Sequence, residues 1–123
     1  MDGCSITSYF YKYEAGGSGI ADKVTHAGGL AGINYGTIRH SKVNNSTVTA
    51  GSKSGTTGRG KWNYIGGICG TNQGNIATCS STNNTLTGIT YEGKTGHYIS
   101  DFAGNNSGNI ASDCTKQNNT IND

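Results

Sequence analysis

The stretch GINYGTI (32–38) returns as GTNQGNI (70–76) and again as GNNSGNI (104–110). All three read G-x-N-x-G-x-I, at offsets of 38 and then 34 residues. The match spreads both ways. HAGGLAG, YIGGICG and YISDFAG lie upstream, and NNSTVTA, NNTLTG and NNTIND lie downstream. The third copy requires one extra residue between Ile110 and Asn119. Self-similarity at a fixed period of this length is the mark of a repeat architecture.

The copies define columns. Leu30, Ile68 and Phe102 form one, and Ala31, Cys69 and Ala103 the next. Ile38, Ile76 and Ile110 form a third, and Val48, Leu86 and Ile121 a fourth. Each is apolar in every copy, with polar columns between them. That alternation has the period of two expected of strands, and no stretch sustains the i, i+3, i+4, i+7 pattern of a helix. One such unit cannot bury its apolar face alone, whereas stacked copies bury a continuous thin core. The expected fold is all-β: a parallel β-helix or β-solenoid of three to four coils. It forms a single domain over 1–123, with a partial copy at 1–25 and copies at 26–63, 64–98 and 99–123.

Composition supports a thin object. Hydrophobic residues make up 32% of 123 residues, against about 45–50% in a globular domain. Gly supplies 21 residues and Pro none, which suits tight turns and strands more than a disordered linker. Gly36, Gly74 and Gly108 each follow an Asn-x pair and precede a strand, where positive φ is expected. Gly32, Gly70 and Gly104 are expected at a bend or a close backbone approach. Asn34, Asn72 and Asn106 would form a hydrogen-bonded ladder if the copies stack. In separate hairpins they would be plain turn residues. Loops are expected over 51–61 and 88–96.

GGLAGINYGTIRHSKV and GGICGTNQGNIATCS resemble the GLUG repeat, roughly G-G-L-[VA]-G-x-N-x-G-x-I-x-x-[CS]. The likeness weakens in copy three, where Ser100 and Asp101 replace the Gly pair. The resemblance implies a right-handed parallel β-helix or similar solenoid. It also implies the setting of large bacterial surface proteins, adhesin-like or associated with immunoglobulin-A-cleaving metallopeptidases. It carries over no catalytic residue, since chemistry in those proteases belongs to a separate domain and no HExxH is present. Cys4-Ser5 is read as matching Cys79-Ser80 and Cys114-Thr115, so the chain is expected to be a piece cut from a longer array. Tyr9, Tyr11 and Tyr13 alternate as in a strand, one that either covers the open end of the stack or packs on a neighbouring domain.

Other motifs are weaker. Gly88 to Thr95 reads GxxxxGKT, the phosphate-binding loop, but Gly96 follows at once and no helical pattern succeeds it. The four cysteines form no CxxC, so no metal site is expected. Cys69 reads as a small buried hydrophobe. Cys79 and Cys114 share a column at a spacing that would permit a disulfide, but Ser41 occupies that column in copy one. His26 aligns with Tyr64 and Tyr98 as a column of flat rings. The carboxylates are scattered, Asp101 and Asp113 being the pair to watch for polysaccharide cleavage. Thr47-Val48-Thr49 and Thr85-Leu86-Thr87 repeat T-x-T, as ice-binding solenoids do, and copy three breaks the row at Asn122.

Arg59, Lys61, Trp62 and Tyr64 gather basic and aromatic groups near one loop and are the candidate ligand-binding residues. A net charge of +2 is too weak for nucleic acid, and no apolar run is long enough for membrane insertion. The expected role is a non-enzymatic structural or adhesion module of an extracellular, cell-surface protein, without cofactor or metal. Expected partners are a host or cell-surface protein or glycan, neighbouring repeats of a longer parent chain, and a second copy end to end. The alternatives are a glycan-binding or glycan-cleaving β-helix and an ice-binding solenoid.

Overall fold

The computed structural model describes residues 1–10, 23–52, 60–89 and 96–123, and the side chains of 1–7, 25–51, 62–89 and 96–123. Every strand pairing among them is parallel, and no helix occurs. The strands are β1 (Ser5–Phe10); β2 (Lys23–Gly28), β3 (Ala31–Asn34), β4 (Thr37–Arg39), β5 (Lys42–Asn44) and β6 (Thr47–Ser52); β7 (Gly60–Gly66), β8 (Cys69–Asn72), β9 (Asn75–Ala77), β10 (Ser80–Thr82) and β11 (Thr85–Ile89); and β12 (Gly96–Ser100), β13 (Ala103–Asn106), β14 (Asn109–Ile110), β15 (Thr115–Gln117) and β16 (Thr120–Asn122). Each group of five is one rung of a β-solenoid. The sheets run along the stack in the orders β12-β7-β2, β13-β8-β3, β14-β9-β4, β15-β10-β5 and β1-β6-β11-β16.

The register is the one the columns demand. Ile76 pairs with Ile38 and Ile110, Leu86 with Val48 and Ile121, and Cys69 with Ala31 and Ala103. The extra residue of copy three lies in a turn where the Cys114 amide donates to the Ala111 carbonyl at 3.1 Å, restoring the pairing of Ser80 with Thr115.

Two thin cores fill the cross-section. One holds Val43, Ile68, Cys69, Ile76, Cys79 and Ala103, and the other Ala27, Val48, Ala50, Ile65 and Leu86. Sealing depends on a rung above and a rung below. Ile68 is fully buried, while Leu30 in the same column on the first full rung is 42% exposed.

The interior polar groups bond from rung to rung. Asn34 Nδ2 donates to Asn72 Oδ1 and Asn72 Nδ2 to Asn106 Oδ1, each at 2.8 Å. The expected ladder is therefore present. A second series, not expected, runs alongside. The Ser46 amide donates to Asn84 Oδ1 and the Asn84 amide to Asn119 Oδ1, each at 2.9 Å. Among the described residues no buried side-chain polar atom lacks a partner, as a narrow, dry interior requires.

The glycines work differently from the expectation. Gly36, Gly74 and Gly108 do not adopt positive φ. A Cβ on Gly74 would instead sit 2.0 Å from the Gly36 carbonyl oxygen, and one on Gly108 would sit 2.2 Å from that of Gly74. They let one rung lie against the last. Gly70 and Gly104 likewise stand against the backbone of the preceding rung, the close approach foreseen for them. The left-handed corners belong to Asn45, Asn83 and Asn118 (φ 50–54°) and to His40 and Thr78 (φ 52°). Asn tolerates this region better than most residues, and here its amide also bonds along the stack: Asn83 Nδ2 to Asn45 Oδ1 at 3.3 Å, Asn45 Nδ2 to Asp2 Oδ1 at 2.8 Å.

The partial copy at the start contributes β1 alone among the named strands. Ser5 pairs with Thr47 and Ile6 with Val48. Cys4 thus lies over Ser46, its amide donating to Ser46 Oγ at 3.3 Å. The match of Cys4-Ser5 to Cys79-Ser80 is corrected by five positions, because placing Ile6 on the Val48 column fixes the register. Tyr11 and Tyr13, and the side chain of Tyr9, lie outside the described residues. The strands reach further into the expected loops than the sequence indicated. Gly51 pairs with Ile89, and Lys23 with Gly60. Residues 53–59 and 90–95 lie outside the described residues.

Candidate functional site

Alternation along β7 decides which side chains face out. Asn63 and Ile65 are buried, so Trp62 and Tyr64 stand on the outer face of the β12-β7-β2 sheet. Tyr64 lies between His26 and Tyr98, its ring centroid 5.5 Å from each, and Trp62 lies 5.3 Å from Tyr98. The column of flat rings expected from the alignment is present. Arg59 lies outside the described residues, as does the side chain of Lys61.

Rings of neighbouring rungs lie beside one another, tilted by 32–48°. A pair of this kind contributes about 0.5–1.5 kcal/mol beyond area burial, and its rings are spent on neighbouring rungs. The column therefore acts first as rung-to-rung cement. His26 Nδ1 lies 2.7 Å from Thr71 Oγ1, and burial holds the His26 pKa below its usual range.

Asp101 and Asp113 each bond to a polar group on another part of the stack. Asp101 receives Lys116 Nζ and Asn119 Nδ2, each at 2.8 Å. Burial pushes its carboxyl up, but these hydrogen bonds outweigh it and leave the pKa below the ordinary value. Asp113 accepts from the Thr78 amide at 2.8 Å and from Thr78 Oγ1 at 2.7 Å. The two acids are thus engaged separately.

All four cysteines are free thiols. Cys79 and Cys114 occupy adjacent rungs, but Cys79 Sγ lies 3.2 Å from the Ala77 carbonyl oxygen and 3.6 Å from that of Ile38, and Cys114 Sγ lies 3.6 Å from that of Ile76. Burial pushes the Cys69 thiol up to about 11, as for an inert core side chain. Among the described residues no group of three or more His, Cys, Asp or Glu could hold a metal ion. After the GxxxxGKT stretch the chain enters β12 rather than a helix, so no helix N-terminus follows to hold a phosphate.

Sequence reasoning did not single out the outer face of β5, β10 and β15. There Lys42, Asn44, Asn45, Ser80, Thr82, Asn83 and Thr115 line an open concavity of about 450 Å³. Its lining is amide and hydroxyl with one cation, a chemistry suited to a polyhydroxylated ligand. The signal in the sequence was the alternation of polar residues in KVN and SST between the two left-handed corners.

Residues 24–50 match the family model for the GLUG motif. The matched span coincides with the first full rung, from β2 to β6. No curated protein and no solved structure matches the chain.

Proposed function

We propose that this chain is a structural and adhesion repeat module of a bacterial cell-surface or secreted protein, working outside the cell as a stalk or binding face without catalysis. The observation that carries the reading is the continuity of the stack. Asn ladders, ring column and apolar columns all run from rung to rung, so these groups are committed to holding a rod together. A rod whose stability is a sum of neighbour contacts lengthens by adding copies, which is what a spacer needs. Its partners on this reading are neighbouring repeats of a longer parent chain and a host or cell-surface protein or glycan.

The concavity over β5, β10 and β15 favours a glycan among those partners. Neutral amides and hydroxyls recur there at the rung spacing of about 4.8 Å, and Lys42 offers a contact to an acidic sugar. The test is a tandem of two copies of the chain measured by small-angle X-ray scattering, with binding to a glycan array followed in parallel. The maximum dimension should grow along one axis on duplication, and Lys42→Ala with Asn83→Ala should weaken any array signal. Two globules joined by a flexible hinge would sink the stalk reading. A signal indifferent to both substitutions would remove the groove.

A further inference from the structure

The four-stranded sheet β1-β6-β11-β16 carries a face that the sequence showed only in part. Its register is unbroken: Ser5, Thr47, Thr85 and Thr120 form one column, and Thr7, Thr49, Thr87 and Asn122 another. The residues between them form the column of Ile6, Val48, Leu86 and Ile121, of which Val48 and Leu86 are fully buried. Alternation therefore turns all eight polar side chains outward. The T-x-T row thus spans four rungs, because β1 supplies Ser-Ile-Thr in register.

We propose that this face binds ice. Three features of the face point to a crystalline water lattice. The face is two-dimensionally periodic, with rungs about 4.8 Å apart and alternate residues about 6.6 Å apart along each strand. The oxygen atoms on a prism face of hexagonal ice form a rectangular net of similar size. The two columns hold no ionisable side chain, so the face matches an uncharged hydrogen-bonding surface in electrostatic character as well as spacing. Finally, six of the eight residues are Thr, whose χ1 is stiff. Each presents a hydroxyl and a methyl in a fixed direction, which lowers the entropy lost when water is held in a lattice. Six of the eight positions come from rungs that also carry the Asn ladders and core columns, so the array is set on a rigid support.

This inference is independent of the stalk reading and fails or stands without it. The experiment is nanolitre osmometry and ice-recrystallisation assay of the purified full chain, with circular dichroism confirming the fold. The wild type should open a gap between melting and freezing points and shape growing crystals into facets. Thr49→Lys together with Thr87→Lys should abolish both effects while the spectrum is kept. Thr37→Lys, exposed on the β14-β9-β4 sheet, should leave them unchanged. Asn122→Thr completes the second column and should widen the gap, which keeps the test decisive if the double variant misfolds. A folded wild type that leaves crystals as unfaceted discs would overturn the proposal. So would full activity in a folded double variant, or a gap that Asn122→Thr leaves unchanged.

Discussion

The middle rung and the outer rungs share one pattern but stand in different surroundings. In the middle, Ile65, Ile68, Ile76, Leu86 and Asn72 have no exposure at all, while Leu30 and Ile121 in the same columns are 42% and 47% exposed. Gly74 has the Gly36 carbonyl against it, whereas Gly36 has open space where a Cβ would go. A Cβ on Gly67 would meet the Asp101 backbone and Ser81, yet the last rung carries Asp101 at that position without conflict. The lesson is that the motif records what the neighbouring rung requires. A residue's own backbone conformation explains less of it.

The largest separation between the two regions is expected at the apolar columns. Ile76→Asp places an unpaired charge where no water reaches. The lost side chain costs about 2–5 kcal/mol and the buried charge adds several more, which together exceed the stability of a marginal fold. Ile121→Asp touches solvent and should cost under about 1 kcal/mol. Thermal denaturation followed by circular dichroism would show an unfolded chain for the first and a near-native transition for the second. Similar losses in both would mean that the stack is not the source of stability.

The glycine columns should separate the regions next. Gly74→Ala forces a methyl against the backbone of the rung before it and should cost about 1–3 kcal/mol or more. Gly36→Ala meets nothing, does not need positive φ, and should be neutral or stabilising by about 0.4–1 kcal/mol through the unfolded chain. Urea midpoints of the two variants decide the matter. Equal destabilisation would show that these glycines serve the turn, as the sequence alone suggested.

That contrast shows what the sequence could and could not reveal. Ile38, Ile76 and Ile110 announced the stacking, because a column apolar in every copy has one simple reading. Asn34, Asn72 and Asn106 announced a ladder, since an amide repeated beside them must find partners. Gly36, Gly74 and Gly108 were misread because a glycine is permissive in φ and also small, and a sequence does not say which property is in use. Cys4 stands five positions from the column its residue type suggests, because the core position of Ile6 over Val48 sets the register. Of the candidate ligand group, Trp62 and Tyr64 both face outward, and Tyr64 belongs to a column that links the rungs through His26 and Tyr98. The polar groove is hard to read from sequence, because the corners flanking β5 and β10 at His40, Thr78, Asn45 and Asn83 take positive φ at non-glycine residues, which leaves little sequence trace.

The Asn ladder gives a smaller effect of the same kind. Asn72 receives Asn34 and donates to Asn106 Oδ1, to the Gly74 carbonyl at 3.3 Å and to the Asn109 carbonyl at 3.2 Å. Asn72→Ala leaves several buried groups unmatched and should cost about 1–3 kcal/mol. Asn106 is exposed on the last rung, and Asn106→Ala leaves the Asn72 amide its two carbonyl partners. Its cost should stay below about 1 kcal/mol. Hydrogen exchange of the Gly74 and Asn75 amides would report the loosening in the first variant and none in the second.

The smallest effect should come from pH, and it acts on the outer rungs because the middle rung places Tyr64 where the first places His26. Burial lowers the pKa of both His26 and His97, although Asp123 pulls that of His97 the other way. The ring of His97 lies 3.0 Å from the buried Asn63 amide through Nδ1. If Asn63 donates there, Nδ1 must be unprotonated to accept, so the fold favours the neutral ring. An unfolded His binds its proton near pH 6.5, so between that value and the lowered folded values the unfolded chain holds more protons. Stability is then full above about pH 6.5 and falls as the solution is acidified below it. Melting temperatures should be level from pH 8 to 7 and decline toward pH 5, before the window in which Asp101 is protonated. His97→Gln keeps an acceptor for Asn63 but does not titrate, and should reduce that decline. A melting temperature that holds steady from pH 7 to 5 would show that neither imidazole is coupled to the stack.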